Sequence, residues 1–379
     1  MSSTVIVGYA RSPFTKAGRG ALAETRPDDI GGQVAKGLLE RLNIDLETIE
    51  DVILGCAYPE GEQGLNLGRI ITYLSGLPNT IPGSTINRLC GSSMQAIQIA
   101  SGSISMGSGE AFLCGGIESM SRVKRGGFNR SPNPSLETTY PEAYISMGLT
   151  AENVAQKYSI TRKEQEAMAF ESHRKAATAV EEGLLKNEII PITTSNGVVD
   201  SDECIRPGTN LESMAKLKPA FIENGTVTAA TSSPLTDGAA FTFICSENYA
   251  DEYSLEPLAR VIGSSVSGCA PDLMGIGPVS STRKLLTRAN LDIDDMDIIE
   301  LNEAFASQSL AVMSELGIKA EIMNLHGGAI SIGHPLGASG ARITGKAASL
   351  LNQSGGKYAL ATMCVGGGMG ISTLLEAIN

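Results

Sequence analysis

The chain has 379 residues, of which 42% are hydrophobic and 18% charged, and its formal net charge is −12 at pH 7. A chain of this length buries a large core, and this composition is typical of an ordered globular protein rather than a disordered or fibrous one. The negative charge disfavours nonspecific binding to nucleic acid or to an anionic membrane surface, so we expect no nucleic-acid partner. An anionic ligand would need a local group of cations.

Seven cysteines are spread widely along the chain, and no two of them form a CxxC pair. This spacing favours neither a disulfide framework nor a zinc site, so we expect no bound metal. No apolar run reaches the ~18 residues that a membrane span requires. The segment Met1 to Gly8 has neither the basic stretch nor the long apolar core of a secretory signal. We therefore expect a cytoplasmic enzyme.

Strands and helices alternate in the first third of the chain. The pattern predicts strands at Thr4 to Ala10, Asp51 to Ala57 and Glu110 to Gly116, helices at Asp28 to Leu42 and Gln63 to Leu74, and a strand and helix around Cys90. This alternation is typical of a mostly parallel sheet that is covered by helices on both faces.

The rhythm changes between residues 121 and 237. Ser121 to Ser146 is rich in Arg, Lys, Gly, Asn and Pro, which indicates an insertion or a flexible loop. Two helices follow, and the second opens with a capping box at Thr161 to Glu164. Ile205 to Pro219 is again loop-like, and a strand from Ala239 to Cys245 returns to the main fold.

The last third repeats the early pattern. Asp297 to Leu301 matches the strand at 51–57, Ile322 to Gly328 with the helix after it matches the strand and helix around Cys90, and Tyr358 to Cys364 matches Glu110 to Gly116. The repeat predicts two copies of one α/β unit that face each other, with chance resemblance between α/β segments as the alternative.

Cys90 stands at the entrance of a predicted helix that carries no charged residue between Leu89 and Gly109. The unpaired N–H groups and positive end of such a helix favour the thiolate, which is the nucleophilic form of cysteine. A lone cysteine at this place is more often a small buried hydrophobe. Other parts of the chain must therefore decide between these interpretations.

Three more places carry reactive side chains at predicted strand ends or between glycines. His334 is flanked by glycines, Cys364 precedes Gly366-Gly367-Gly368, and Asn302 follows a strand end, where α/β proteins place ligand contacts. Each of them alone is more often structural. Among the three histidines, His173 is expected on an exposed helix face. The combination of one histidine and two cysteines in such settings indicates a catalytic site.

Four motifs together resemble those of the thiolases. They are Asn87-Arg88-Leu89-Cys90-Gly91-Ser92, Asn302-Glu303-Ala304-Phe305, Gly327-Gly328-Ala329-Ile330 to Gly333-His334-Pro335-Leu336-Gly337, and Cys364-Val365-Gly366-Gly367-Gly368-Met369-Gly370. The resemblance implies a thiolase fold of class α/β, in which two similar halves form a layered α/β/α/β/α sandwich with an inserted loop domain. It places the N-terminal half at 1–119 and 237–256, the loop domain at 120–236 and the C-terminal half at 257–379.

The resemblance also implies a role for each reactive group. Cys90 would be the nucleophile, His334 would take its proton, and Cys364 would act as acid and base. His334 and a water held by Asn302 would form one oxyanion hole, and the backbone N–H groups of Cys90 and Gly366 would form the other.

Coenzyme A is implied as a co-substrate, together with acyl-CoA and acetyl-CoA, and no cofactor is expected to stay bound. Ser233 would contact the pantetheine, and Lys218 takes a position often filled by Arg near the nucleotide. Met147 and Phe305 would lie near the acyl group. Ser146 replaces a His of many acetoacetyl-CoA-forming members, which weakens the case for a short substrate.

The expected function is cleavage of 3-ketoacyl-CoA by CoA, or the reverse condensation, in fatty acid metabolism. The degradative type is favoured, an acetoacetyl-CoA thiolase is next, and a homodimer or homotetramer is expected. One alternative is a ketoacyl-synthase-like condensing enzyme, which Cys364 disfavours. The other is a catalytically silent acyl-CoA-binding protein on the same scaffold. Chain-length preference and physiological direction stay open.

Overall fold

The computed structural model describes residues 3–378. Its strands are β1 (Thr4–Arg11), β2 (Thr15–Lys16), β3 (Asp51–Gly55), β4 (Gly83–Ile86), β5 (Ala111–Ser119), β6 (Ile192–Thr194), β7 (Gly197–Val199), β8 (Thr236–Ser246), β9 (Ala259–Gly268), β10 (Ile298–Leu301), β11 (Tyr358–Val365) and β12 (Met369–Glu376). Its helices are α1 (Pro27–Leu42), α2 (Leu67–Leu74), α3 (Ser92–Ser105), α4 (Pro134–Thr139), α5 (Met147–Lys157), α6 (Arg162–Glu181), α7 (Leu211–Ala215), α8 (Glu247–Glu252), α9 (Gly277–Ala289), α10 (Ala306–Leu316), α11 (Ala329–Ile332) and α12 (Ser339–Ser354).

The main sheet is mixed rather than mostly parallel. It has ten strands, in the order β10-β11-β12-β9-β1-β8-β5-β3-β4 with β2 beside β8. The prediction of a mostly parallel sheet is wrong at the centre, because every pair from β5 through β8, β1, β9 and β12 to β11 is antiparallel. The pairs β3–β4, β3–β5 and β10–β11 are parallel. A helix carries the chain back between parallel strands, whereas β11 turns directly into β12 and reverses direction.

The repeat in the sequence is a repeat of topology. The first half has the order β4-β3-β5-β8-β1, and the second has β10-β11-β12-β9. Met323 forms a parallel bridge to Ile299 on β10, at the place that β4 takes beside β3. The two halves meet where β1 pairs with β9, with Thr4 opposite Val261. Each half therefore has the same strand order and an antiparallel edge toward the other half.

The helices and the sheet form the expected α/β/α/β/α layers. Alternate residues of each strand face opposite sides of the sheet. On β3, Val52 packs in an outer cluster with α1 and α2, whereas Ile53 packs in a central cluster with α3 and α12. On β10, Ile298 joins that central cluster, and Ile299 packs outward with α9 and α10. The two central helices thus lie between the two halves of the sheet.

The first turns of α3 and α12 touch each other. The backbone N–H of Ala341 donates to the Ser93 hydroxyl at 2.8 Å. A Cβ at Gly340 would lie 2.4 Å from the backbone nitrogen of Met94, so this contact needs a glycine. Since both helices begin here, their positive ends point at the same place.

Several element bounds differ from those predicted. Helix α2 begins at Leu67 rather than Gln63, because Leu65 and Asn66 have φ of 54° and 56°, outside the range of a right-handed helix. Both predicted loops contain a short helix, α4 in the first and α7 in the second. The capping box of α6 is confirmed, with Thr161 and Glu164 bonded reciprocally.

The segment between β5 and β8 holds α4 to α7 and the β6–β7 hairpin. The division at residues 119/120, 236/237 and 256/257 stays a prediction, and its ends at 1–2 and 379 lie outside the described residues. Within residues 3–378, no helix is both long enough and apolar enough to cross a membrane.

Gly116 on β5 provides a test of the close approach that positions the two central helices. A Cβ there would lie 2.0 Å from the carbonyl oxygen of Gly337 and 2.9 Å from Cβ of Ser93. Gly116→Ala should therefore lower the free energy of unfolding by about 1–3 kcal/mol, as overpacking does. Urea denaturation measures this change.

Gly102 on α3 is the matched control, because a Cβ there meets no atom within 4 Å. Gly102→Ala should be neutral or stabilise by up to about 1 kcal/mol, since alanine is the better helix former. Equal unfolding free energies for the two variants would contradict the close packing described for Gly116.

Candidate active site

Cys90 lies in a strained turn directly before α3. Leu89 has φ of +45°, a left-handed conformation that is rare for a residue with a branched side chain. The turn is closed by the Gly91 N–H, which donates to the Arg88 carbonyl at 3.0 Å, and by the Ser92 N–H, which donates to the Leu89 carbonyl at 3.1 Å. Cys90 is thereby presented ahead of the helix, as the sequence predicted.

The thiol of Cys90 is not a resting thiolate. Burial raises its pKa to about 11, and the charge of Glu118 adds to this rise. The backbone N–H groups of Gly366 and of Cys90 itself act on the sulfur and lower its pKa, but burial outweighs them. The N–H groups thus favour the thiolate, as the sequence predicted, but they do not bring the pKa to neutrality, so we expect a base to remove the proton during the reaction.

Cys364 lies near the end of β11, opposite Gly370 of β12, and is 1% exposed. Its side chain belongs to an apolar cluster that also contains Met147, Phe305, Ala151, Val227, Met274 and Ala304. Burial raises the pKa of the Cys364 thiol well above its usual value, and a charge on Cys90 raises it further. The two thiols are thus close enough for ionisation of one to oppose ionisation of the other.

The imidazole of His334 is buried and neutral. Its Nδ1 contacts the Ser339 hydroxyl, which itself donates to the Pro335 carbonyl at 3.1 Å. The hydroxyl therefore accepts from Nδ1–H, and this hydrogen-bond pattern assigns the lone pair to Nε2. Burial lowers the pKa of His334 to about 3, and the charge of Arg342 contributes. At neutral pH, Nε2 is therefore free to accept a proton.

Asn302 lies beside this nitrogen and is fully buried. Its Nδ2 is 3.4 Å from Nε2 of His334, and its Oδ1 has no hydrogen-bond partner in the described part of the chain. The neighbouring Glu303 carboxylate accepts from the Ser172 hydroxyl at 2.6 Å and from the Asn324 side chain at 2.8 Å. These bonds to α6 and to the turn before α11 fix the position of the Asn302–Glu303 segment.

The residues just before β8 and at its start join the His334 segment to the Asn302–Glu303 segment. The Ser233 N–H donates to the Ala304 carbonyl at 3.0 Å. The Thr236 hydroxyl accepts from the His334 N–H at 3.0 Å and donates to the Pro234 carbonyl at 2.7 Å. Ser233 is therefore held directly against the site.

Of the residues predicted to contact the substrate, Met147 and Phe305 are packed inside the protein, whereas Lys218 is exposed. The sulfur of Met147 lies 3.7 Å from the position of a Cβ at Gly366, so Met147 borders the Cys90 turn. Phe221 packs edge-on against Phe305, with 5.9 Å between ring centroids. Lys218 is exposed and lies three residues before Phe221 in the sequence.

Glu118 and Thr236 are site residues that the sequence analysis missed. The Glu118 carboxylate accepts the N–H groups of Ala57 at 2.8 Å and Gly337 at 2.9 Å, and so joins the first half to the His334 segment. An acidic residue near the end of the otherwise uncharged β5 was the available signal. No pattern distinguished Thr236 from any other threonine in a strand.

The prediction of an exposed His173 is wrong. Its side chain is 3% exposed, and Nδ1 accepts from the Arg206 N–H at 3.2 Å. Burial lowers its pKa to about 4. The segment that contains Arg206 lies against His173, and α6 also packs against α10 and α11, so a face that reads as polar in the sequence is covered.

Alkylation of Cys90 tests its raised pKa. Because the thiolate reacts and the pKa is about 11, the rate with iodoacetamide should rise about tenfold per pH unit through the neutral and mildly alkaline range. Mass spectrometry of the Cys90 peptide gives this rate, and Cys90→Ser shows the background. A rate that levels off below neutral pH would indicate a low-pKa thiolate instead.

Comparison with known proteins identifies the family of this chain. A family model for the thiolase N-terminal domain matches residues 4–248, and a model for the thiolase C-terminal domain matches residues 255–377. A 3-ketoacyl-CoA thiolase of Bacillus subtilis strain 168 is 43% identical over 389 residues, with 99% of this chain and 100% of the relative covered. A 3-ketoacyl-CoA thiolase of Psychrobacter arcticus is 46% identical over 383 residues, with 99% and 98% covered.

A solved structure shows the same fold. The crystal structure of the Bacillus anthracis acetyl-CoA acetyltransferase superposes with a TM-score of 0.92 at 37% sequence identity, covering 100% of this chain and 99% of that one. The fold is thus the thiolase fold, and the matches favour a thiolase over the ketoacyl-synthase-like and silent alternatives. The chain belongs to the thiolase family.

Proposed function

We propose that this acyltransferase cleaves 3-ketoacyl-CoA with CoA, and catalyses the reverse condensation, through two thiols with separate tasks. The observation that carries the proposal is the approach of two thiols, half-buried Cys90 and buried Cys364, together with a buried, neutral His334 on the segment before α12. A thioester of cysteine and a thioester of CoA are close in energy, so a thiol nucleophile can pass the acyl group on to another thiol.

In the cleavage direction, Nε2 of His334 takes the proton of Cys90, and the thiolate attacks the ketone carbon. The oxyanion that forms accepts from the N–H groups of Cys90 and Gly366, which act on the sulfur in the free site. The carbon–carbon bond then breaks, leaving an acyl group on Cys90 and an enolate of acetyl-CoA. Protonated His334 and a water bound to Asn302 stabilise that enolate oxygen.

Cys364 then completes both proton transfers. Its thiol protonates the enolate carbon and releases acetyl-CoA. The Cys364 thiolate next takes the thiol proton of incoming CoA, and the CoA thiolate attacks the acyl group. Cys90 leaves as a thiolate and regains its proton from His334. Because burial raises the pKa of Cys364, its thiolate is a strong base for this step.

The substrate is proposed from the chain's own residues and from its relatives. Coenzyme A serves as a co-substrate rather than a resident cofactor, with its pantetheine along Ser233 and its nucleotide toward exposed Lys218. Met147 and Phe305 border the acyl group. The curated relatives at 43% and 46% identity are named 3-ketoacyl-CoA thiolases, which supports the degradative type and a role in fatty acid metabolism.

The state of the cysteines bears on the compartment. All seven cysteines are free thiols, which favours a reducing compartment and hence the cytoplasm.

Strand β4 is the last strand of the sheet, and all of its residues are half-buried. The Asn66 side chain donates to the Gly83 carbonyl of this strand, and its neighbour Leu65 is 92% exposed. An open sheet edge with an exposed leucine beside it supports a homodimer or homotetramer.

A series of 3-ketoacyl-CoA chain lengths tests this function. We expect thiolysis of acetoacetyl-CoA and an equal or higher kcat/KM for medium chains, since each buried methylene adds up to ~0.8 kcal/mol of binding. Cys90→Ser is the control and should lose thiolysis by several orders of magnitude, because a hydroxyl needs a far stronger base than a thiol.

Two outcomes would contradict the proposal in different ways. Activity confined to acetoacetyl-CoA would reject the degradative assignment and leave a short-chain acetyl-CoA acetyltransferase. Binding of CoA without turnover of any chain length would indicate a silent binding protein.

A further inference from the structure

A second buried polar cluster lies behind the proposed base, between β1, β10 and α12. It consists of Glu300, Arg342, Lys346, Glu188 and Tyr9, all of which are less than 10% exposed. None of these side chains takes part in the proton transfers proposed above. Buried charges are costly to retain without a partner, so their arrangement requires an explanation.

The elements that hold this cluster also hold the site. Glu300 lies on β10, and Asn302, two positions later, directly follows the strand's last residue, so both side chains leave the extended backbone on the same side. Arg342 follows Ser339 by three residues, and Lys346 follows Arg342 by four, so these side chains share one face of α12. The strand that ends just before Asn302 and the helix that begins just after the His334 segment therefore hold a carboxylate and a guanidinium near the site, and the Arg342 charge acts on His334.

The carboxylate of Glu300 is loosely held. Nη2 of Arg342 lies 3.3 Å from Oε2 of Glu300. Within residues 3–378, neither carboxylate oxygen of Glu300 has a hydrogen-bond partner, and the same holds for Nη2 of Arg342 and the hydroxyl of Tyr9. Glu188, by contrast, is bonded at 2.7 Å both by Lys346 and by Arg11. One buried carboxylate is thus fully paired, and the other is not.

We propose that Glu300 is a positioning residue that acts through Arg342 and sets how readily His334 accepts the proton of Cys90. The proposal rests on the function proposed above. The Arg342 charge disfavours protonation of His334. An ionised Glu300 offsets that charge and makes the imidazole more basic, whereas a neutral Glu300 leaves it unopposed.

Glu300 changes its charge near neutral pH. Burial raises its pKa to about 7, against the lowering effect of Arg342 and Lys346. The charged and titratable groups that face it are Arg342 and Lys346 on α12, Glu188, Glu303, Tyr9 on β1 and Lys175 on α6. As pH rises through 7, Glu300 loses its proton, the pKa of His334 rises, and transfer of the Cys90 proton becomes easier.

The test compares wild type with Glu300→Gln, which keeps the shape of the side chain and removes its ionisation. The readout is the ratio of their kcat/KM values for thiolysis, measured at a series of pH values on both sides of neutrality. The ratio should be near one in acid and should rise about three- to tenfold, with a midpoint near the Glu300 pKa of about 7. Taking the ratio cancels ionisations of CoA and Cys90, which the two proteins share.

Two further variants separate charge from structure. Tyr9→Phe removes a polar atom of the same cluster without changing its charge, so its ratio to wild type should not vary with pH. Glu300→Asp keeps an ionisable group, so the ratio of its kcat/KM to that of Glu300→Gln should also rise with pH. A Glu300→Gln ratio that is constant with pH would overturn the proposal and leave Glu300 a structural residue.

A readout on wild type covers the case in which Glu300→Gln does not fold. Carbon-13 NMR of the glutamate-labelled protein should show a carboxyl that titrates near neutral pH, far above the ordinary range of about 4 to 5. The absence of such a carboxyl would equally overturn the proposal. If wild type itself lacked thiolysis, the function proposed above would fail, whereas an active wild type with a flat ratio would reject the Glu300 role alone.

Discussion

The hydrogen bond between the Ala341 N–H and the Ser93 hydroxyl joins the first turns of the two central helices. The rest of the site depends on this contact, because Cys90 precedes one helix and His334 precedes the other. Small residues make the contact possible, since side chains at Gly340 or Gly116 would collide with the backbone of the other half. The proposed nucleophile and its proposed base, more than 240 positions apart in the sequence, are thus brought together by the packing of two repeats.

Burial determines the electrostatic state of this place. It raises the pKa of both thiols and lowers that of His334. Every reactive group is therefore neutral before substrate arrives, although two helix N-termini meet there. The free site therefore contains no unpaired ion among its reactive groups, and burial of such an ion in an apolar environment would cost free energy. In the proposed mechanism, charge appears only when Cys90 passes its proton to His334, and the backbone N–H groups of Cys90 and Gly366 already act on the Cys90 sulfur.

The sequence predicts more about the chemistry than about the sheet. Cys90, His334, Asn302 and Cys364 lie in short motifs rich in glycine and polar residues, and the repeat of strand patterns shows that two halves face each other. The antiparallel centre was missed because a buried strand such as β8 is equally apolar in either direction. Glu118 and Thr236 were missed because each acts by bonding a backbone N–H of the distant His334 segment. Only the folded chain creates those contacts.

The central claim is that Cys90 carries the acyl group while Cys364 moves the proton on carbon. The most direct measurement follows acetyl-CoA with the Cys364→Ala variant in deuterated water. Mass spectrometry would report acetylation of Cys90, and NMR would report exchange of the acetyl methyl protons. The account predicts that Cys90 is acetylated while the methyl protons do not exchange, although they exchange with wild type. Exchange at the wild-type rate in Cys364→Ala, or a wild type whose Cys90 is never acetylated, would contradict it.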